Sequence, residues 1–118
     1  GMGKTTCIRS LLRFKGVTGQ IVSPTFSLIE LYSFADKSAC HVDLYRLKSP
    51  QELVYCDLVE QINHCDFSWI EWPEFGGDYL PAANLLMSWE AASSENNKRI
   101  ITLSLPEGSG WANDLQLF

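Results

Sequence analysis

Between residues 4 and 14 the apolar side chains Ile8, Leu11 and Leu12 recur at i, i+3 and i+4, with Arg9 and Arg13 on the opposite side. That spacing predicts a short amphipathic helix, ended by Gly16 and Gly19. Ile21 and Val22 are β-branched and predict a short strand, which runs into a loop at Ser23-Pro24-Thr25 because Pro24 keeps the preceding residue out of helical conformation. Phe26 to Tyr32 alternates well enough for a further strand. The polar turn Ala35-Asp36-Lys37-Ser38 then joins it to Cys40-His41-Val42-Asp43 as an antiparallel hairpin. After a loop at Leu47-Lys48, Ser49-Pro50-Gln51-Glu52 has the form of a helix start, with Ser49 as N-cap, Pro50 at the first position and Glu52 reaching back. This helix is expected to run to about Asn63, with Val54, Tyr55, Leu58, Val59 and Ile62 as the stripe that packs on a sheet.

Phe67 to Trp72 reads as a buried strand stopped by Pro73, and Gly76 and Gly77 open a loop. Leu85, Met87, Trp89 and Ala91 alternate with polar or outward positions, as do Ile101, Leu103 and Leu105. The Ser93 to Asn97 segment joins the two runs as a hairpin. The pattern predicts an α/β fold: a mixed sheet flanked by helices, with antiparallel hairpins. The tail from Pro106 to Phe118 carries no period. With 118 residues, 46% of them hydrophobic, the chain has enough apolar material for one domain with its own core and too little for two.

Charge narrows the function. Nine Lys and Arg against fourteen Asp and Glu give a net charge of -5, so no basic field is available to hold a phosphate backbone, and a free-standing nucleic-acid binder is disfavoured. No apolar run approaches the roughly 18 residues of a membrane span, and the start has no apolar signal core. A soluble, cytoplasmic protein with no membrane partner is the expectation. The cysteines at 7, 40, 56 and 65 form no C-x-x-C pair. Cys56, His64 and Cys65 make a poor metal cluster, since adjacent His and Cys side chains have difficulty reaching one tetrahedral centre.

The chemistry gathers elsewhere. Gly3-Lys4-Thr5 at a helix start matches the end of G-x-x-x-x-G-K-[ST], in which backbone amides and the helix N-terminus cradle phosphates. Lys4 would neutralise β and γ phosphates and the Thr5 hydroxyl would bind Mg²⁺. Such an enzyme also needs an acidic group for the metal and one that organises the attacking water. Asp43 and Glu71 both end apolar strands, where α/β proteins place functional groups. Taken singly, Gly3-Lys4-Thr5 reads equally as a plain helix start, Asp43 as a solvated strand end, Thr25 as a turn residue and Glu71 as a surface carboxylate. Trp69 reads as core and His41 as either core or a neighbour of the metal site. Tyr45 and Arg46 would serve a subunit interface or the loop, and Trp89 and Trp111 packing.

In this order and at these spacings, Gly1-Met2-Gly3-Lys4-Thr5-Thr6, Ser23-Pro24-Thr25-Phe26, His41-Val42-Asp43-Leu44-Tyr45-Arg46-Leu47 and Trp69-Ile70-Glu71-Trp72-Pro73-Glu74 resemble the TsaE family. That family is the ATPase component of bacterial tRNA threonylcarbamoyladenosine biosynthesis. The resemblance implies a P-loop NTPase-like domain over residues 1–118, with ATP and Mg²⁺ as cofactors and the TsaB and TsaD subunits as partners. The complex moves the threonylcarbamoyl group onto adenosine 37 of tRNAs that read codons beginning with A, and tRNA is met indirectly through it. On this reading Gly1, Met2, Gly3, Lys4, Thr5 and Thr6 bind the nucleotide, Thr25 makes a switch-like contact near the γ-phosphate or the metal, and Trp72 lies beside the nucleotide. Thr5 and Asp43 hold the metal; Glu71 orients or activates the water, with Lys4 as the other catalytic group. The resemblance further implies an upstream segment bearing a strand and the first part of the loop, without which Mg-ATP would bind far more weakly. The alternatives are a non-hydrolysing P-loop docking module and a small P-loop kinase. Arg9, Arg13, Arg46 and Arg99 are too scattered for the arginine-rich lid a kinase should show.

Overall fold

The structure is a computed structural model that describes residues 3–24, 26–92 and 98–106. These residues fall into two compact units, Gly3–Pro81 and the described residues from Ala82 onward.

In the first unit, helix α1 (Lys4–Lys15) precedes strands β1 (Ile29–Phe34) and β2 (Lys37–Asp43), the short helices α2 (Glu52–Tyr55) and α3 (Leu58–His64), and strand β3 (Phe67–Glu71). The sheet order is β1-β2-β3. β1 and β2 pair antiparallel from Ile29 opposite Val42 to Phe34 opposite Lys37, around a two-residue turn in which Ala35 takes a left-handed φ of 51°. β2 and β3 run parallel, from Ala39 beside Phe67 to Asp43 beside Glu71. A parallel pair requires a crossover, which α2 and α3 supply.

β2 is the central strand and is covered on both faces. Ala39 joins Ile8, Leu12, Val17, Ile21 and Phe34 in one core, flanked by Phe67 and Trp69. Cys40, Val42 and Leu44 join Leu47, Leu53, Leu58 and Ile62 in the other. Side chains alternate along a strand, so Ala39, His41 and Asp43, with their register partners Phe67, Trp69 and Glu71, all lie on the face that α1 covers. On the opposite face the Cys40 thiol donates to Ser68 Oγ at 3.3 Å, and Ser68 donates to the Ile62 carbonyl.

Several sequence expectations hold in outline and shift in detail. α1 ends at Gly16, whose φ of 106° lets the Val17 amide reach back to the Leu12 carbonyl at 3.0 Å. Ile21 and Val22 form no strand: the Val22 amide and carbonyl are taken by the Tyr32 hydroxyl instead of a ladder. The strand expected from Phe26 begins at Ile29, and Phe26 is exposed. The single helix expected from Pro50 to Asn63 is two, broken where Asp57 adopts a left-handed φ of 52°. That break re-aims the first turn, so Leu53 is buried while Val54 and Tyr55, expected in the core stripe, are exposed. Ser49 makes no side-chain cap: its carbonyl accepts the Glu52 amide in a tight turn. After β3 the chain does not open into a loop but closes into two short 3-10 turns, Pro73–Phe75 and Gly77–Tyr79. A side chain at Gly76 would come within 2.6 Å of Leu80.

The second unit is a hairpin of β4 (Leu86–Ala91) and β5 (Arg99–Ser104), paired from Leu86 opposite Ser104 to Ala91 opposite Arg99. Met87 and Trp89 are half-buried and Leu86, Ser88 and Glu90 exposed, as their alternation predicts. The hairpin loop at 93–97 and the tail with Trp111 lie outside the described residues. Among the described residues, no helix is long and apolar enough to cross a membrane.

Candidate functional site

The site forms where the N-terminus of α1 meets the carboxyl ends of β2 and β3. Gly3 caps the helix in left-handed conformation, φ 88°, and its carbonyl accepts the Cys7 amide at 3.0 Å. The first-turn amides of a helix have no partners within it and carry the positive end of its dipole. No acidic residue occupies this first turn. Lys4 and Thr5 both reach from it toward the end of β3: Lys4 Nζ lies 4.4 Å from the centre of the Trp72 ring, and the Thr5 hydroxyl donates to Glu71 Oε1 at 3.2 Å.

Glu71 is only 8% exposed. Burial by itself would raise its carboxyl, but His41, the Thr5 hydroxyl and the Lys4 charge outweigh that and hold it below its ordinary value. It is a carboxylate at neutral pH. His41, 1% exposed, places Nε2 3.5 Å from the same Oε1, and that nitrogen has no hydrogen-bond partner. An orphaned buried donor costs about 1–3 kcal/mol.

Asp43 sits beside Glu71 in register but is engaged differently. Its Oδ1 accepts the Tyr45 amide at 3.0 Å, which caps the chain's exit from β2. Just past β3, Trp72 takes a left-handed φ of 57°. Its ring lies 5.0 Å from that of Tyr45 and 6.0 Å from that of Phe75, centre to centre, so the ring that Lys4 approaches belongs to a cluster of three aromatics. Arg46 stacks over Phe26 at 5.6 Å.

Of the residues singled out from sequence, Lys4, Thr5, Glu71 and Trp72 therefore come together, Gly3 shapes the helix start, and Asp43 lies alongside. Thr6 is exposed on the other side of the first turn, its carbonyl accepting the Ser10 hydroxyl. Gly1, Met2 and Thr25 lie outside the described residues. Tyr45 and Phe75, as ring partners of Trp72, were not among the expected site residues. The sequence leaves His41 between core and site; its period-two spacing from Asp43 puts both on one face.

Hard oxygen donors, an ammonium group and a helix N-terminus suit a phosphate with a small divalent cation. Among the described residues no three His, Cys, Asp or Glu side chains gather to hold a metal ion. An open groove of about 450 Å³, lined by residues including Tyr32, Asp57, Glu60 and His64, shares no residue with this cluster. The site is marked by its converging polar groups.

The model of a family described as threonylcarbamoyl adenosine biosynthesis protein TsaE matches residues 1–101. A curated relative from Haemophilus influenzae, named tRNA threonylcarbamoyladenosine biosynthesis protein TsaE, is 38% identical over 101 residues, covering 86% of this chain and 64% of the relative. One of the same name from Rickettsia conorii is 36% identical over 104 residues, covering 87% and 58%. The chain therefore spans about three fifths of the length of these relatives. The crystal structure of Bacillus subtilis YdiB superposes with a TM-score of 0.65 at 18% identity, covering 99% of this chain and 71% of that one, and shares the fold.

Proposed function

The chain belongs to the TsaE family, and from that premise we propose that it acts as an Mg²⁺-dependent P-loop ATPase supporting threonylcarbamoyl modification of adenosine 37 in tRNAs that read codons beginning with A, together with TsaB and TsaD. One observation carries the catalytic part: the Thr5 hydroxyl at the start of α1 is bonded to Glu71 at the end of β3, with Lys4 alongside.

In this reading the α1 amides and Lys4 bind the phosphates of ATP, and Trp72 borders the nucleotide. Thr5 would hold Mg²⁺, with Asp43 as the second group. When bound, the ion would neutralise charge developing on the phosphoryl oxygens. Glu71, ionised and sheltered, orients the attacking water and accepts its proton. The net charge of -5 agrees with leaving tRNA contacts to the partner subunits.

The test is Mg-ATP hydrolysis by the protein with and without TsaB and TsaD, beside Lys4→Ala and Glu71→Ala. Turnover that needs the partners and disappears in both variants is the expected result. Nucleotide binding without turnover would replace the ATPase with a docking module, and phosphate transfer to a small molecule would make it a kinase.

A further inference from the structure

Two donors converge on one oxygen of Glu71. Thr5 Oγ1 is 3.2 Å and His41 Nε2 3.5 Å from Oε1, one reaching from the helix start and the other from the neighbouring strand. Among the described residues, Oε2 has no hydrogen bond. A carboxylate held by one donor can still swivel; a second donor brought onto the same oxygen from a separately anchored element would fix which oxygen faces away.

Packing alone does not account for His41. It is 1% exposed between the buried Ala39, Cys40 and Val42, and its Nε2 lacks a hydrogen-bond partner. Buried polar groups without partners are uncommon, and an apolar residue would fill the space without that penalty. The gap to Oε1 exceeds an ordinary hydrogen bond by a few tenths of an ångström, a distance that a small shift of the carboxylate closes. The geometry points to His41 as a positioning residue for Glu71: with its ring proton on Nε2 it anchors Oε1, so that Oε2 is the oxygen presented to the attacking water. This rests on the proposed role of Glu71. Thr5 has a second duty at the metal in that role, and His41 is the anchor with no other.

The experiment measures kcat and KM for ATP on the protein with TsaB and TsaD for the parent, His41→Leu and His41→Gln. It is joined to the thermal unfolding of His41→Leu, Glu71→Gln and the double variant. Outer partners of site ligands are worth about 10–100-fold in activity. His41→Leu is expected to lower kcat by about tenfold or more with KM nearly unchanged, and His41→Gln, whose amide reaches the place of Nε2, to restore most of the loss. The unfolding shifts should fall short of additivity in the double variant, because the two side chains are coupled. Should the leucine variant fail to fold, His41→Asn, whose amide stops short of Oε1, takes its place with the same expected loss. Parental kcat in His41→Leu, equal losses in the leucine and glutamine variants, a loss confined to KM, or additive unfolding shifts would each overturn the inference. A parent without hydrolysis would sink the ATPase reading, and the unfolding cycle would then decide separately whether His41 holds Glu71.

Discussion

Asp43 and Glu71 are neighbours in register at the ends of parallel strands, yet they live in different surroundings. Glu71 lies under the start of α1, in contact with Thr5 and His41. Asp43 is half-buried and its carboxylate is turned back to its own chain, accepting the Tyr45 amide. A carboxyl-terminal strand end supplies the opportunity for chemistry; the helix N-terminus above it decides which carboxylate becomes embedded in the cluster.

The contrast breaks most visibly in hydrolysis. On the proposed mechanism Glu71→Gln keeps the shape but removes the proposed proton acceptor, and kcat should fall by about 10²–10⁴-fold, the usual worth of a general base. Asp43→Asn, which weakens the proposed second metal group, should cost about 10–100-fold, with a raised Mg²⁺ requirement in a titration of rate against metal. The reverse order of losses would show that the two roles are exchanged.

A stability measurement sharpens the same comparison. Burial would raise the Glu71 carboxyl, but His41, Thr5 and Lys4 bring it below its ordinary value. A carboxyl depressed in the folded state stabilises the fold above its unfolded value, and that contribution fades as pH falls through the folded one. Urea midpoints of the parent and Glu71→Gln should therefore differ at neutral pH and converge in acid, below the ordinary carboxylate range; a constant gap would contradict the assignment. The smallest effect belongs to Asp43→Ala, which removes one exposed bond to the Tyr45 amide and should lower stability by at most about 1 kcal/mol in the same assay.

The elements with strong local signals were legible in the sequence. α1 carries its stripe, its closing Gly16 and the Gly3-Lys4-Thr5 start, and the β1-β2 hairpin and β3 follow from alternation and from Pro73. The break at Asp57 left no such mark, because Leu53, Val54 and Tyr55 are all apolar and an unbroken helix would bury the latter two as readily. The missing strand at Ile21 and Val22 reflects a competitor outside the local window, the Tyr32 hydroxyl ten residues on. Lys4, Thr5 and Glu71 were legible as candidates, and their contact was not, since it spans 66 positions. His41 stays open between core and site in the sequence, because its nearness to Glu71 depends on the parallel pairing of β2 with β3.

The covered central strand also fixes how the protein meets oxidants and electrophiles. Cys40, on the face of β2 turned away from the site, is fully buried, and burial pushes its thiol up to about 12. The thiolate is the reactive form of cysteine, so at neutral pH Cys40 is a spectator, while Cys56, exposed at the break between α2 and α3, meets the solvent. Between these two thiols, alkylation and mixed-disulfide formation are thereby directed to the helical crossover and away from the strand that carries His41 and Asp43.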